Sequence, residues 1–142
     1  MAFLLDPTRP IYLQIMEEIK KRAVRGLYRP GEQLPSVRDM AKEMEVNPNT
    51  IARVYRELEQ EGFIETRRGR GSFITEDSSR IEAERTKFGR DATQRFIRDI
   101  TELDMTDKQI QDMLSLLKRS FSGADGKDKS TGEGTHNVCT GE

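Results

Sequence analysis

Histidine and cysteine, two residue types on which much catalysis and metal binding depends, are nearly missing from this chain. It has one histidine, His136, and one cysteine, Cys139, both within the last seven residues. A lone cysteine cannot close an internal disulfide, and one His beside one Cys does not make a metal-ligand set. No nucleophile–base pair is left to defend, so no catalytic residue, metal site or cofactor is expected. The stretch "GADGKDKST" is only faintly like a phosphate-binding loop: the spacing G-x-x-x-x-G-K-[ST] is not met and no strand precedes it. The chemistry that is present belongs to arginine. "TRRGRGSF", Thr66 to Phe73, holds Arg67, Arg68 and Arg70 with Gly69 and Gly71, between the apolar pairs Phe63-Ile64 and Phe73-Ile74. Guanidinium groups are planar forks matched to phosphate, and glycine lets a backbone turn and approach a partner closely. Such a segment is either a solvated hairpin turn or a tip that touches something negative.

A second polar set lies just upstream. On a wheel of about 100° per residue, Ile51, Val54, Tyr55 and Leu58 fall on one side of the segment Pro48–Glu61. Asn49, Arg53, Arg56 and Gln60 fall opposite, with Thr50, Ala52 and Glu57 on the flanks. Arg can chelate guanine O6 and N7, Asn can pair bidentately with adenine, and Ala or the Thr methyl can meet a thymine methyl. The positive end of the helix would also favour a phosphate near its first turn. Plainer roles stand beside these. Asn47 is first a helix cap, and Asn49 and Thr50 can satisfy free N–H groups of the first turn. Arg53 and Arg56 can be solvated, the latter beside Glu59. Arg53 is favoured as a DNA contact because it opposes the core near the helix start.

The elements that would position these residues are legible in order. A first helix is expected from Pro10, with Tyr12, Ile15, Met16, Ile19 and Ala23 at helical spacing and Gly26 placed to end it. "LYRPGEQLPS" then reads as a loop. Ser36 suits the N-cap of a short second helix carrying Val37, Met40, Ala41 and Met44 on one face. After the turn "EVN", a third helix runs from Pro48 to about Glu61, capped by Asn47 and stopped by Gly62. From Phe63 the pattern becomes strand, glycine-rich turn, strand. The fold class is therefore mostly α with a small β-hairpin: a winged helix-turn-helix over residues 1–75. In that arrangement the third helix enters the major groove and reads bases from its N-terminal half. The hairpin tip flanks it, where an Arg is well matched to a narrow minor groove.

From Asp77 the pattern changes. Phe88, Ala92, Phe96 and Ile100 form an i, i+4 ladder, with Ile97 and Leu103 beside it. "MTDKQI" supplies a capping box in Thr106 and Gln109, and a hydrophobic staple in Met105 and Ile110. Ile110, Met113, Leu114, Leu117 and Phe121 carry the stripe of the last helix. Two amphipathic helices cannot enclose a sizeable core of their own, so residues 76–121 are expected to be a two-helix dimerisation region. Its interface residues would be Phe88, Ala92, Phe96, Ile97, Ile100, Ile110, Met113, Leu114 and Leu117. The Gly-, Ser- and charge-rich remainder, residues 122–142, is expected to be disordered.

The bulk numbers describe a small soluble protein with much exposed helix surface. The chain has 142 residues, 35% charged against 34% hydrophobic, and a mean hydropathy of -0.76. No apolar run approaches the ~20 residues of a membrane span. The opening "MAFLLDPTRP" lacks a charged region followed by an apolar stretch, so the cytoplasm is the expected compartment. The net charge is -1, yet residues through Thr75 hold 13 Lys+Arg against 11 Asp+Glu and the remainder 11 against 14. That supports a basic patch, not a basic domain.

Taken together, "GLYRPGEQLPSVR", "NPNTIARVYRELE" and "RGRGSF" resemble the DNA-binding domain of the GntR family of bacterial transcription regulators. The likeness covers about residues 10 to 75, close to half the chain. The short helical remainder is similar to the YtrA subfamily, in which two helices after the winged domain serve mainly for dimerisation. Carried across position by position, the resemblance implies DNA contacts from Arg38, Asn47, Asn49, Thr50, Arg53, Arg68 and Gly69. For Arg38, a salt bridge within the domain is the plainer alternative. Glu45 occupies a turn position where glycine would cost less. Larger members of the family carry an all-helical effector domain, some with a histidine metal site, or an aminotransferase-like module that binds pyridoxal phosphate. The roughly 45 ordered residues left here, without a histidine, fit neither. The expectation is a homodimeric, sequence-specific DNA-binding regulator, a repressor that occludes polymerase at a palindromic operator. No pocket signature names a small-molecule effector. The rival reading is a winged-helix adaptor that docks protein or RNA without duplex specificity.

Overall fold

In the computed structural model, which describes residues 3–123, helices and one hairpin follow one another along the chain. They are α1 (Ile11–Val24), α2 (Val37–Met44), α3 (Pro48–Gln60), β1 (Ile64–Arg67), β2 (Gly71–Ile74), α4 (Ser78–Glu102) and α5 (Asp107–Ser122). The order is that of a winged helix-turn-helix followed by two further helices. No helix among the described residues is long and apolar enough to cross a membrane.

α1 begins one residue later than its pattern implies. Pro10 has φ -55° but ψ 128°, so it caps the helix instead of opening it, and its carbonyl accepts from the Gln14 N–H at 3.4 Å. The chain before it is held from inside. The Gln14 side chain, 6% exposed, accepts from the Asp6 N–H at 2.7 Å and donates to the carbonyls of Asp6 and Arg9 at 2.7 and 2.9 Å. That clamp fixes the turn feeding Pro10 in its extended conformation.

The core of the first unit forms where the apolar faces of α1, α2, α3 and the hairpin meet. Ile15, Ile19, Met40, Ile51, Val54, Leu58 and Ile74 are sealed from solvent. Each such side chain is worth about 1.5–3 kcal/mol of burial. Local caps set the α2–α3 turn. Ser36 Oγ accepts from the Asp39 N–H at 3.2 Å, and Asn47 Oδ1 accepts from the Asn49 N–H at 2.8 Å, with Pro48 at the first helical position. Between them Glu45 takes the left-handed conformation, φ 56° and ψ 46°. The Tyr55 hydroxyl, in the core, donates to the Pro35 carbonyl at 2.6 Å and so ties α3 to the turn before α2. Burial pushes that phenol well above its ordinary range, so it remains a donor.

β1 and β2 pair antiparallel, with Ile64 opposite Ile74 and Arg67 opposite Gly71. The sequence pattern reads Gly31–Leu34 as part of a loop, but the segment lies along β2 as a third edge. Gly31 N–H donates to the Ile74 carbonyl (3.0 Å), Ile74 N–H to Glu32 (2.8 Å) and Leu34 N–H to Ser72 (2.8 Å).

The change of pattern after Thr75 is not the end of packing on this core. Ile81 of α4 is 5% exposed within it. Lys20, almost buried in α1, pairs with both Glu61 and Glu84. Arg80 Nη1 donates to the Glu61 carbonyl at 2.9 Å, over Gly62, whose φ of +73° ends α3. The chain divides into two compact units, Met1–Gln94 and Arg95–Glu142, and the first of them takes in the start of α4. Phe88 belongs to the first unit, where the Lys21 ammonium lies 5.4 Å from its ring centre.

In the second unit, α4 gives way to a turn in which Asp104 has φ 48°. α5 then starts with a complete capping box: Gln109 N–H donates to Thr106 Oγ1 at 3.3 Å, and Thr106 N–H to Gln109 Oε1 at 2.9 Å. None of its described residues is buried. Phe96, Ile97, Leu103, Leu114, Leu116, Leu117 and Phe121 are all exposed. The helix runs through Ser122, one residue into the segment expected to be disordered. The rest of that segment, with His136 and Cys139, lies outside the described residues.

Candidate nucleic-acid interface

α3 divides its side chains by face. Ile51, Val54, Tyr55 and Leu58 point into the core, while Asn49, Arg53, Arg56 and Gln60 are exposed and Thr50 and Ala52 are half-buried. Asn47 is exposed but its side-chain oxygen is committed to capping the helix. The Asn49 side chain has no hydrogen-bond partner among the described residues, so only its backbone serves the first turn. Arg38, on α2, is exposed at the rim of a shallow apolar cleft of about 390 Å³ that it shares with Ala41, Lys42, Val46 and Pro48. The alternative of an internal salt bridge for Arg38 is not realised among the described residues.

Arg53 is exposed, and its guanidinium carbon lies over the ring of Tyr12, 3.7 Å from the centroid. Tyr12 is half-buried against the core from α1. Together with Ile11, Asn49 and Thr50 these two side chains line a cleft of about 340 Å³ at the head of α3. Sequence periodicity assigns Tyr12 to the core face of α1, and nothing in a single sequence shows that its ring reaches Arg53.

The wing separates its three arginines. Arg67 is turned back onto the hairpin: its guanidinium stands 4.5 Å from the Phe73 ring centre, 3.5 Å from Glu65 and 3.9 Å from Glu76. Arg68 and Arg70 are exposed and make no ion pair among the described residues. The Arg70 N–H donates to the Arg67 carbonyl at 2.9 Å, closing a turn whose third residue, Gly69, has φ +74°. A Cβ at 69 would meet nothing within 4 Å among the described residues. The need for glycine there is therefore conformational, and it leaves the tip bare. Gln33 braces the tip from the third edge, its Nε2 donating to the Arg70 carbonyl at 2.7 Å. Gln33 is a residue that the sequence reading does not single out, because a loop glutamine carries no periodic signal.

The same unit has an acidic cleft of about 440 Å³, into which Glu59, Glu65, Glu76 and Asp77 contribute. Carboxylates at that density repel phosphate, so the basic charge is a patch on α2, α3 and the wing tip. That patch carries planar Arg and amide donors, the groups that pair with phosphates and base edges.

The comparisons with known proteins agree with this geometry. The family profile described as "Bacterial regulatory proteins, gntR family" matches residues 11–74. The chain is 44% identical over 103 residues to the HTH-type transcriptional regulator YhcF of Bacillus subtilis (strain 168), covering 72% of this chain and 85% of that protein. It is 47% identical over 76 residues to the HTH-type transcriptional repressor YtrA of the same organism, covering 52% of this chain and 58% of YtrA. Among solved structures it is similar to a GntR family transcriptional regulator from Listeria monocytogenes. That match has a TM-score of 0.71 and 39% identity, over 78% of this chain and 97% of that one. By its winged fold and these relationships, the chain belongs to the GntR family of DNA-binding transcriptional regulators.

Proposed function

We propose that this regulator is a homodimeric repressor that reads a palindromic operator with α3 and grips the flanking backbone with its wing. The observation that carries the reading is one of exposure. Asn49, Arg53, Arg68 and Arg70 face solvent without ion-pair partners among the described residues, on a unit whose core is otherwise closed. Arg53 and Asn49 supply base contacts, Thr50 a methyl or hydroxyl contact, and Arg38, Arg68 and Arg70 phosphate or minor-groove contacts. Asn47 acts through the helix start that it caps, and Gly69 through the bare turn. Arg67 is the weakest of the wing contacts, because Glu65 and Phe73 already engage it.

The dimer reading is supported by the apolar stripe of the second unit. Phe96, Ile97, Leu114 and Leu117 are too exposed to be stable companions of water at that density, and Ile100, Ile110 and Met113 flank them half-buried. A second copy of the same stripe covers them by two-fold symmetry. Phe88 and Ala92 belong to the first unit and would lie at the edge of that interface. Two-fold symmetry would set two reading helices about one DNA turn, ~34 Å, apart. Repression follows if the operator overlaps a promoter, and YtrA bears the name of a repressor. A protein that acts on the chromosome works in the cytoplasm.

Selection of bound fragments from random and genomic DNA by the full chain tests the proposal. It predicts an enriched inverted repeat with half-sites about 10 base pairs apart. Sedimentation showing a monomer at micromolar concentration, or enrichment of a single unrepeated half-site, would remove the dimer. Enrichment of RNA over duplex DNA would restore the adaptor reading.

A further inference from the structure

We infer that Tyr12, on α1, is a positioning residue for sequence readout: its ring is the platform that holds the Arg53 guanidinium in its reading orientation. The inference deepens the proposed function and rests on Arg53 as a base contact. A long arginine on an open helix edge samples many rotamers, and each one lost on binding weakens the complex. Here the guanidinium already lies 3.7 Å from the centre of the Tyr12 ring. A contact with the ring takes up none of the hydrogen bonds of the fork, and the Arg53 side chain has no hydrogen-bond partner among the described residues, so its N–H donors stay available to a guanine edge. The platform is itself fixed, because Tyr12 packs against the buried core. Arg56, on the same polar edge of α3, has no ring beneath it among the described residues. The cleft beside the stack is lined by Asn49 and Thr50 as well as by Ile11. The ring therefore stands among the side chains proposed to read bases, although it comes from a different helix. The Tyr12 hydroxyl has no hydrogen-bond partner among the described residues, so what engages Arg53 is the ring face.

The test uses the full chain and a duplex that it has selected from a random pool, with every base pair of that duplex substituted in turn. Arg53→Ala should abolish discrimination at one base pair of each half-site. Tyr12→Phe, which keeps the face, should match the parent. Tyr12→Leu should lose about 2- to 30-fold at that base pair, the range of a cation–π contact from exposed to desolvated, with the other positions and the salt dependence unchanged. In the Arg53→Ala background Tyr12→Leu should cost nothing further at that pair.

Parental discrimination by Tyr12→Leu would overturn the platform. So would an equal loss in Tyr12→Phe, which would make Tyr12 a hydroxyl contact to the backbone. No loss in Arg53→Ala, or no enriched duplex at all, would sink the underlying reading of Arg53 and the platform with it. That failure appears before any Tyr12 variant is measured. Because Tyr12 also packs on the core, a direct reading is taken in the free parent. The Arg53 δ-methylene protons should be shifted upfield by the ring current in the parent and in Tyr12→Phe, and their unshifted resonance in the parent would refute the stack.

Discussion

The two units of this molecule solve the burial problem in opposite ways. The winged unit seals Ile15, Ile19, Met40, Ile51, Val54, Leu58 and Ile74 completely, leaving its polar and charged groups outside. The second unit, through residue 123, buries none of its described residues and exposes a run of Phe, Ile and Leu. Both are built from amphipathic helices, and α2, α3 and α5 each start on a side-chain cap. The difference is the number of faces available within one chain. Three helices and a hairpin surround a common interior, whereas the end of α4 and α5 have only one apolar stripe each. Capping decides where a helix starts, and tertiary enclosure decides whether it is finished.

That contrast can be broken at its strongest point first. Leu58→Ala should cost about 2–5 kcal/mol of unfolding free energy, because the site is fully enclosed and cannot collapse freely. Leu117→Ala, at a side chain 38% exposed, should change unfolding of the dilute chain by no more than about 0.5 kcal/mol. Denaturant melts of the two variants at nanomolar concentration compare them, and equal losses would show that the second unit has a core of its own. Next in size, Leu117→Glu should weaken self-association at least about tenfold, ~1.4 kcal/mol, by placing a charge in the stripe proposed to pair two copies. Sedimentation equilibrium reads this directly, and an unchanged association constant would remove Leu117 from the interface.

The smallest effect sharpens the comparison from the winged side. Glu45 sits at φ 56° between α2 and α3. A left-handed conformation costs a residue with a Cβ about 1–2 kcal/mol, partly offset by the greater unfolded freedom of glycine. Glu45→Gly should therefore stabilise the unit by about 0.5 kcal/mol on thermal unfolding, and a loss would mean that the Glu45 side chain contributes what the geometry does not show.

The winged unit was readable largely because its boundaries are local. Ser36, Asn47, Pro48 and Gly62 announce helix ends within three or four residues of themselves, and the face of α3 follows from periodicity. What escaped the sequence is long-range. Gln33 and Gly31–Leu34 become an edge only because β2 returns alongside them. Ile81 and Glu84 join the first unit across some sixty residues from α1, a contact that the change of pattern after Thr75 does not announce. The three wing arginines look alike in a row, but strand pairing places Arg67 within reach of Phe73 and Glu65 while Arg68 and Arg70 remain at the turn. The stack of Arg53 on Tyr12 depends on how α1 crosses α3, which no local signal encodes.

The central claim is that α3 reads base edges while the wing tip grips the backbone beside it, and one paired titration addresses both halves. Arg53→Ala and Arg68→Ala are titrated against a selected operator and a scrambled duplex over a range of salt. Arg53→Ala should lose about 1–3 kcal/mol on the operator alone, collapsing its advantage over the scrambled duplex. Arg68→Ala should weaken both duplexes alike and reduce the magnitude of the salt slope by about one. Parental affinity, specificity and slope in both variants would contradict the account.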